Sequence, residues 1–392
     1  MKLKTYIQGL IIALILILVC THTQAQIFKL SENSKVSILT CSPGPDLYEI
    51  FGHTAIRVSD KVQGLDIVYN YGTFNFNTPN FYLKFATGEL LYTISSNSFS
   101  SFMGAYRYYQ RSVTEQTLDL KLEERQKIFE ALLTNSLPEN REYKYDFQID
   151  NCATRIRDII EKNCNKEIKY EYKEGETYRD ILNVFLKPIS WTKWGINILL
   201  GSRTDKTSDA RGSMFIPDYL KNNLELSTID GKPLVKKQEL IYKAKQTVFS
   251  TPWYLQPIYI ISLIIFLLIG YSIKTGKNIL AIDIGIFTLI GIVGTVVYFM
   301  NFFSNYYSTG CNYKLLLFNP QYLLAILLIR KNLNRIATIM LYICALTSLL
   351  YLLIFHILPL GIQEMPIENI PIAIYLIFTA YKYLKLGTKK GK

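Results

Sequence analysis

Five apolar stretches after residue 255 constrain this chain more than any other feature of its sequence. They cover residues 255–273, 279–300, 315–329, 336–358 and 370–384. Each approaches the roughly 20 residues that an α-helix needs to span the hydrocarbon core of a bilayer, although the third is short and contains Asn319-Pro320. The sequence therefore predicts a transmembrane domain of five helices over residues 253–392.

The charged residues between these stretches predict how the chain is oriented in the membrane. Basic residues follow the first, third and fifth stretches, whereas residues 301–314 and 359–369 carry one lysine and two glutamates. The positive-inside rule places the basic sites in the cytoplasm, so residues 26–252 lie on the periplasmic side of a bacterial inner membrane. The formal net charge of +12 is explained by this topology, and we expect no nucleic-acid partner because no basic block accompanies it.

The N-terminus has the composition of a secretory signal. Lys2 and Lys4 precede the apolar run 10–19, and Thr23-Gln24-Ala25 is a small-residue cleavage site. This predicts a signal peptide over residues 1–25, with an uncleaved membrane anchor as the alternative. In either case residues 26–252 are exported.

The exported region carries a single histidine, His53, and a cysteine in a helix-start sequence, Cys152. Asp150-Asn151 precede Cys152 as capping residues, and isoleucines follow at helical spacing. The partial positive charge at a helix N-terminus stabilises a thiolate. A neutral imidazole is the base that a thiol nucleophile needs beside it. We therefore predict that Cys152 and His53 form a nucleophile–base couple.

Residue patterns predict an α+β domain around these two residues. His53 begins an alternating segment typical of a strand, with residues 67–71 as its return strand; further strands are predicted over 81–85 and 90–94, and a helix over 122–135. Residues 189–200 are apolar and aromatic, which fits either the lipid headgroup region or the core of the soluble domain. Since no cysteine spacing fits zinc and histidines are scarce, we expect no metal and no cofactor.

Two segments carry a resemblance to known enzymes. Gly-His-Thr-Ala-Ile-Arg-Val at 52–58, followed much later by Asp-Asn-Cys-Ala-Thr-Arg-Ile-Arg-Asp at 150–158, resembles the permuted papain-like fold of lecithin retinol acyltransferases. The chain more closely resembles the lipoprotein N-acyltransferase family of Bacteroidota (Lnb). The matching stretches are 51–58, 68–72, 150–158, 214–219 and 318–320. The resemblance implies an α+β fold, with a permuted papain-like cysteine domain over residues 26–252 followed by a five-helix transmembrane bundle.

A third polar residue usually orients the imidazole in this pattern. The acyltransferase relatives have a second histidine on the return strand, and this chain has none there. Asp66, Tyr69, Asn70 and Tyr71 are the alternatives, and we favour Asn70 because an amide can hold a ring nitrogen in place.

The resemblance implies that the chain moves an acyl chain from a phospholipid, through a Cys152 thioester, to the N-terminal amine of diacylglyceryl lipoproteins. Two other functions remain open. The same couple would serve a hydrolase of cell-wall peptides or phospholipids, with water replacing the amine. A non-catalytic membrane scaffold would instead hold Cys152 in a disulfide with Cys41 or Cys164.

Overall fold

The computed structural model describes residues 28–171, 175–245, 250–276, 280–330, 334–358 and 360–389. The predicted signal peptide lies outside these residues. Within them, an α+β region that contains the main sheet precedes a helical region. The predicted α+β class is therefore confirmed at this level.

The described residues of the N-terminal region form ten strands. They are β1 (Lys35–Cys41), β2 (His53–Asp60), β3 (Leu65–Thr73), β4 (Leu91–Ser98), β5 (Val113–Leu118), β6 (Glu142–Lys144), β7 (Ile168–Lys169), β8 (Thr228–Ile229), β9 (Lys232–Pro233) and β10 (Val235–Tyr242). Among the described residues, seven of them form an antiparallel sheet in the order β10-β5-β1-β2-β3-β4-β6. The predicted hairpin of β2 and β3 is confirmed and lies near the centre of this sheet.

The described α-helices of this region are, in chain order, α1 (Phe81–Thr87), α2 (Phe99–Tyr108), α3 (Leu122–Ser136), α4 (Cys152–Asn163), α5 (Tyr178–Leu186), α6 (Ser190–Leu199), α7 (Ala210–Ser213) and α8 (Pro217–Leu226). Some of them cover the two faces of the sheet. Helices α3, α4 and α8 bury Ile128, Ile156 and Leu220 against one face, in a core that includes Ile56 and Tyr69. Helix α2 buries Phe102 and Met103 on the opposite face, against Ala55 and Val68. The two faces alternate along β2 and β3, as side chains of a strand must.

One predicted strand is wrong. Residues 81–85 belong to α1, whereas β4 and α3 confirm the strand predicted over 90–94 and the helix predicted over 122–135. Phe81 and Phe85 stack at the i, i+4 spacing of a helix, with ring centroids 6.3 Å apart. Gly88 ends the helix with a φ of 72°, and its N–H donates to the carbonyls of Lys84 and Phe85.

The C-terminal region is helical. Its described helices are α9 (Pro257–Thr275), α10 (Leu280–Phe302), α11 (Gln321–Arg330), α12 (Asn334–Leu352) and α13 (Asn369–Lys389). Three segments within the described residues are long and apolar enough to cross a membrane: Pro257–Thr275, Ala281–Phe302 and Ile336–Ile357.

The third predicted span differs from the observed helix. Residues 313–316 form a 3₁₀ turn, and α11 begins at Gln321, directly after Pro320. Proline lacks an N–H and favours the first turn of a helix, which explains this late start. The described part of this helix reaches about 15 Å, roughly half of the hydrocarbon core, and residues 331–333 after it lie outside the described residues. Five full spans therefore remain a prediction.

Helix α6 packs against the membrane helices. Its Ile198 shares one apolar cluster with Phe287, Phe318 and Tyr322 of the C-terminal region. Trp191 donates its indole N–H to the Leu255 carbonyl, and Trp194 donates to Asn369 Oδ1. The same segment also packs on the soluble side, where Ile189, Ile196 and Leu200 join a cluster that includes Ile181 and Phe215. Residues 189–200 thus lie between the two regions, and their place in the lipid headgroup region stays a prediction.

Candidate active site

Cys152 is the first residue of α4, and its position is fixed by the residue before it. Asn151 Oδ1 accepts hydrogen bonds from the Ala153 and Thr154 N–H groups at 2.8 and 3.0 Å. Its Nδ2 donates to the carbonyls of Phe147 and Phe215. The buried Asn151 side chain therefore caps the helix and ties its start to two loops, which confirms the predicted cap.

The thiol of Cys152 meets the beginning of β2. Burial raises the pKa of this thiol, and the backbone N–H groups of Thr54, Ala153 and Cys152 itself oppose that rise by hydrogen bonding to the sulfur. Thr54 directly follows His53, so the sulfur lies against the residue next to the candidate base in β2. The couple of Cys152 and His53 itself stays a prediction.

The path of β3 leaves room for the sulfur beside β2. The register of β2 with β3 runs from the Ile56–Tyr69 pair to the Asp60–Leu65 pair, and Thr54 lies beyond it. Farther along β3, Gly72 has a φ of 91°, a backbone conformation that favours glycine. A Cβ atom at Gly72 would lie 3.9 Å from Cys152 Cβ and 3.4 Å from Tyr145 Cε2. Both distances are ordinary contacts, so the backbone conformation, and not a lack of space, favours glycine where β3 approaches α4 and Tyr145.

His53 is held by Asn70 of the return strand. His53 Nε2 and Asn70 Oδ1 are 3.3 Å apart. Because Oδ1 can only accept, Nε2 carries the proton and Nδ1 keeps the lone pair. Burial lowers the pKa of His53 to about 4; the Asn70 hydrogen bond raises it and the charge of Arg111 lowers it further. The imidazole is neutral at physiological pH and available as a base.

The other candidates for the third residue have different partners. Asp66 pairs with Arg57 at 2.7 Å, and the Tyr71 hydroxyl accepts a hydrogen bond from Asn135 Nδ2. Tyr69 points into the core on the α4 face of the sheet. Of the four alternatives, Asn70 is the one whose hydrogen bond to His53 is seen among the described residues.

Arg111 is a site residue that the sequence analysis missed. Its guanidinium is buried, donates Nε–H to the Ser42 carbonyl and pairs with Glu49 at 2.7 Å. Its charge lowers the pKa of both Cys152 and His53. Nothing in the local sequence marks this arginine. It reaches the site because β5 begins just after it, with Val113 opposite Cys41, and Cys41 lies opposite His53.

A cavity of about 390 Å³ opens beside His53, on the side of Tyr106 and Phe102 of α2. Most of the exposed surface of its wall is apolar, and polar uncharged side chains supply the rest. The lining residues are His53, Asn70, Tyr71, Gly72, Thr73, Ser95, Asn97, Ser101, Phe102, Ala105 and Tyr106. The imidazole is thus within reach of a small molecule from solvent.

The cysteines of the described chain are free thiols. They are Cys41, Cys152, Cys164, Cys311 and Cys344. The scaffold alternative requires a disulfide at Cys152, and this arrangement does not supply one. No group of three or more His, Cys, Asp or Glu side chains arranged to hold a metal ion occurs among the described residues.

Comparison with known families adds two matches. The family model of the Lnb N-terminal periplasmic domain matches residues 24–184. The family model of the Lnb transmembrane domain matches residues 244–391. No curated protein and no solved structure matches the chain. The two matches follow one another along the sequence and describe a membrane protein with a periplasmic N-terminal domain.

Proposed function

Because this chain belongs to the Lnb family, we propose that it is a membrane-bound acyltransferase that uses Cys152 as nucleophile, His53 as base and Asn70 as the residue that orients His53. Family membership suggests an enzyme of lipoprotein N-acylation. The observation that carries the proposal is the placement of the Cys152 sulfur against Thr54, next to a neutral His53 that is hydrogen-bonded to Asn70.

In the first half-reaction, the Cys152 thiol attacks an ester carbonyl of a phospholipid. His53 takes the thiol proton as the C–S bond forms and returns it to the departing glycerol oxygen when the C–O bond breaks. A lysophospholipid leaves and an acyl thioester remains on Cys152. Asn151 Oδ1 already accepts from the Ala153 and Thr154 N–H groups. We therefore assign the developing oxyanion to the N–H groups of Cys152 and Thr54, which hydrogen-bond to the sulfur before the reaction.

In the second half-reaction, the free α-amine of a diacylglyceryl-cysteine attacks the thioester. His53 accepts a proton from the amine, the C–S bond breaks, and the thiol recovers the proton. The product is an amide at the lipoprotein N-terminus. The acceptor is a second amphiphile of the same membrane, and tethering the catalytic domain there raises its effective concentration.

The domain organisation belongs to the same proposal. We assign residues 1–25 to a signal peptide, residues 26–252 to a permuted papain-like catalytic domain and residues 253–392 to a bundle of five transmembrane helices in the inner membrane. The order of His53 before Cys152 in the chain, the cysteine at a helix start and the histidine on an antiparallel sheet support the fold assignment.

The test is the intact mass of a lipoprotein from bacteria that lack their own N-acylating enzyme. Cells expressing the full chain should add one acyl chain to the lipoprotein α-amine, and cells expressing Cys152→Ala should not. Cys164→Ala is the matched control, because Cys164 lies at the other end of α4 and should be dispensable. An unmodified lipoprotein despite normal membrane insertion, together with lysophospholipid or wall-peptide products, would replace acyl transfer by hydrolysis.

A further inference from the structure

Helix α1 exposes an apolar surface beside the active site. Tyr82 is 82% exposed, Leu83 59% and Phe85 48%, and Phe76 of the preceding loop is 61% exposed. Asn80, with a φ of 57°, precedes the helix, and Gly88 ends it. Two aromatic side chains and a leucine of α1, together with Phe76 of the loop before it, form an exposed apolar patch.

This patch is attached to the end of a membrane helix. The Asn305 N–H donates to the Thr87 carbonyl at 3.0 Å, and the Asn305 side chain donates to Glu89. The rings of Phe85 and Tyr306 meet with centroids 6.2 Å apart. Asn305 and Tyr306 follow α10, which ends at Phe302 and contains the candidate span Ala281–Phe302.

The level of the bilayer surface is marked by the end of α10. Tyr298, whose ring lies 4.7 Å from that of Phe302, is 46% exposed there. Tyrosine and tryptophan side chains at the ends of membrane helices sit at the level of the lipid headgroups. Because Asn305 joins α1 directly to this point, α1 lies at the same level.

A series of aromatic rings connects α1 with Cys152. Phe81 lies 5.9 Å from Phe74, Phe74 lies 5.3 Å from Tyr92, and Tyr92 stacks on Tyr145 at 4.4 Å. Tyr145 in turn flanks Gly72 on the side that approaches Cys152. The rings therefore form an unbroken row of apolar contacts from the exposed patch to the ring that flanks Gly72 beside Cys152.

We propose that α1, together with Phe76, inserts into the outer leaflet of the membrane and that the ring series guides an acyl chain of a phospholipid to Cys152. The occupant of the patch is lipid, since the surface is continuous with the membrane region through Asn305 and Tyr306. The insertion of the patch is inferred from the contacts of α1 with Asn305 and Tyr306 and does not depend on the proposed acyl transfer. The guiding role rests on the proposed acyl transfer, because it presumes that Cys152 accepts the chain.

The first test uses photocrosslinking with the catalytically inactive full chain. Cys152→Ala would be reconstituted into phosphatidylethanolamine vesicles that contain a phospholipid with a diazirine in its acyl chain. Mass spectrometry should find crosslinks in the peptide that contains residues 81–87 and none in the turn around Val62. Val62 is equally exposed, at 63%, but lies at the opposite end of β2 from His53. An α1 peptide free of crosslinks, beside labelled membrane helices, would overturn the insertion.

The second test separates the lipid path from the chemistry. The double variant Tyr82→Ser, Leu83→Ser should lower the rate of acyl transfer from vesicle phospholipid by about tenfold, since two apolar side chains lose part of their burial in lipid. The same variant should react normally with a soluble short-chain thioester at Cys152. The matched control is Val62→Ser, Leu226→Ser, which alters two exposed apolar residues away from the site.

The outcomes distinguish the two proposals. If the parent chain fails to form an acyl-enzyme with the soluble thioester, the proposed function fails, whatever the crosslinks show. If the soluble thioester acylates Cys152 but the Tyr82, Leu83 variant transfers from phospholipid at the parent rate, the acyl chain does not enter by way of α1, so this proposal fails and the catalytic proposal stands.

Discussion

At the scale of single residues, the protonation of His53 determines whether the site can act. The pKa of His53 is lowered to about 4 mainly because protein surrounds the ring. A base works only when unprotonated, so the rate is lost as the pH falls through that pKa. The free energy of unfolding also decreases as the pH falls. The unfolded histidine titrates near 6.5, so this contribution to folding is complete above pH 6.5 and is lost as the pH falls from 6.5 toward 4.

The fall in rate at low pH is the acid limb of the pH–rate profile. Substitutions of Asn70 should move this acid limb in a defined direction. Asn70→Asp places a carboxylate beside the ring, which stabilises the imidazolium and should raise the pKa of His53 by about 1–3 units. Asn70→Ala removes a hydrogen bond that raises the pKa, so its acid limb should not move upward. Its rate should fall about 10- to 100-fold, because the ring loses its orientation. The measurement is acylation of Cys152 by a soluble thioester across pH, in detergent-solubilised full chain.

Circular dichroism at each pH serves as the control for folding. A parent acid limb near pH 6.5, or identical pH profiles for the parent and Asn70→Asp, would contradict the assigned geometry of His53 and Asn70.

The sequence identifies some of these residues and not others for physical reasons. His53 and Cys152 are recognisable because each lies in a local pattern, a strand start and a capped helix start, that survives without knowledge of the fold. Asn70 is reachable because the hairpin places the return strand beside His53. Arg111 depends on the pairing of β5 with β1, two strands far apart in sequence, and local patterns carry no information about such pairing.

At the scale of elements, the start of β2 depends on Gly52. Its φ of 80° is unfavourable for any residue with a Cβ, and a Cβ there would lie 2.7 Å from the Cys41 carbonyl oxygen. Gly52→Ala should therefore displace the beginning of β2 together with His53. We expect the rate of Cys152 acylation to fall at least about tenfold, as small misplacements of catalytic groups do. Acylation by a soluble thioester and the melting temperature measure the two effects.

Gly64→Ala is the matched control for this substitution. Gly64 also has a positive φ, 64°, but nothing lies within 4 Å of a Cβ built there. Gly64→Ala should lower the free energy of unfolding by about 1–2 kcal/mol, because of the backbone conformation alone. It should leave the rate of Cys152 acylation unchanged. Equal losses of rate in both variants would show that the contact with Cys41 is irrelevant.

Sequence patterns misplace two elements, and both lie where the chain begins or ends a helix near the membrane region. Residues 81–85 are rich in aromatic side chains, which favour strands in general, but Gly88 caps them as a helix and Phe85 packs on Tyr306 from the membrane region. The third apolar stretch starts late because Pro320 fixes the first turn of α11. Hydropathy reports burial in lipid or protein, and it does not report the backbone hydrogen bonds that begin a helix.

At the scale of the whole molecule, the N-terminal α+β region and the membrane region share a row of hydrogen bonds, here called the seam. The Gly201 N–H donates to the Ser308 carbonyl at 2.8 Å, and the Ser202 N–H donates to the Cys311 carbonyl. The fully buried Lys314 donates to the Leu200 carbonyl at 2.9 Å. Burial lowers the pKa of Lys314 well below its usual range. These contacts fix the end of α6 against the loop that follows α10.

Gly201→Ala should open this seam and separate membrane-dependent from membrane-independent activity. A Cβ at Gly201 would lie 1.9 Å from the Gly310 carbonyl oxygen, so the two backbones must move apart. The site itself lies elsewhere, so acylation of Cys152 by a soluble thioester should persist. Transfer from vesicle phospholipid should fall by at least about tenfold, because the domain no longer holds its position over the bilayer. Gly195→Ala on α6 has open space around its Cβ and should be neutral or stabilise by about 0.5–1 kcal/mol. Loss of both activities in Gly201→Ala would mean that the seam supports the fold of the catalytic region rather than its placement.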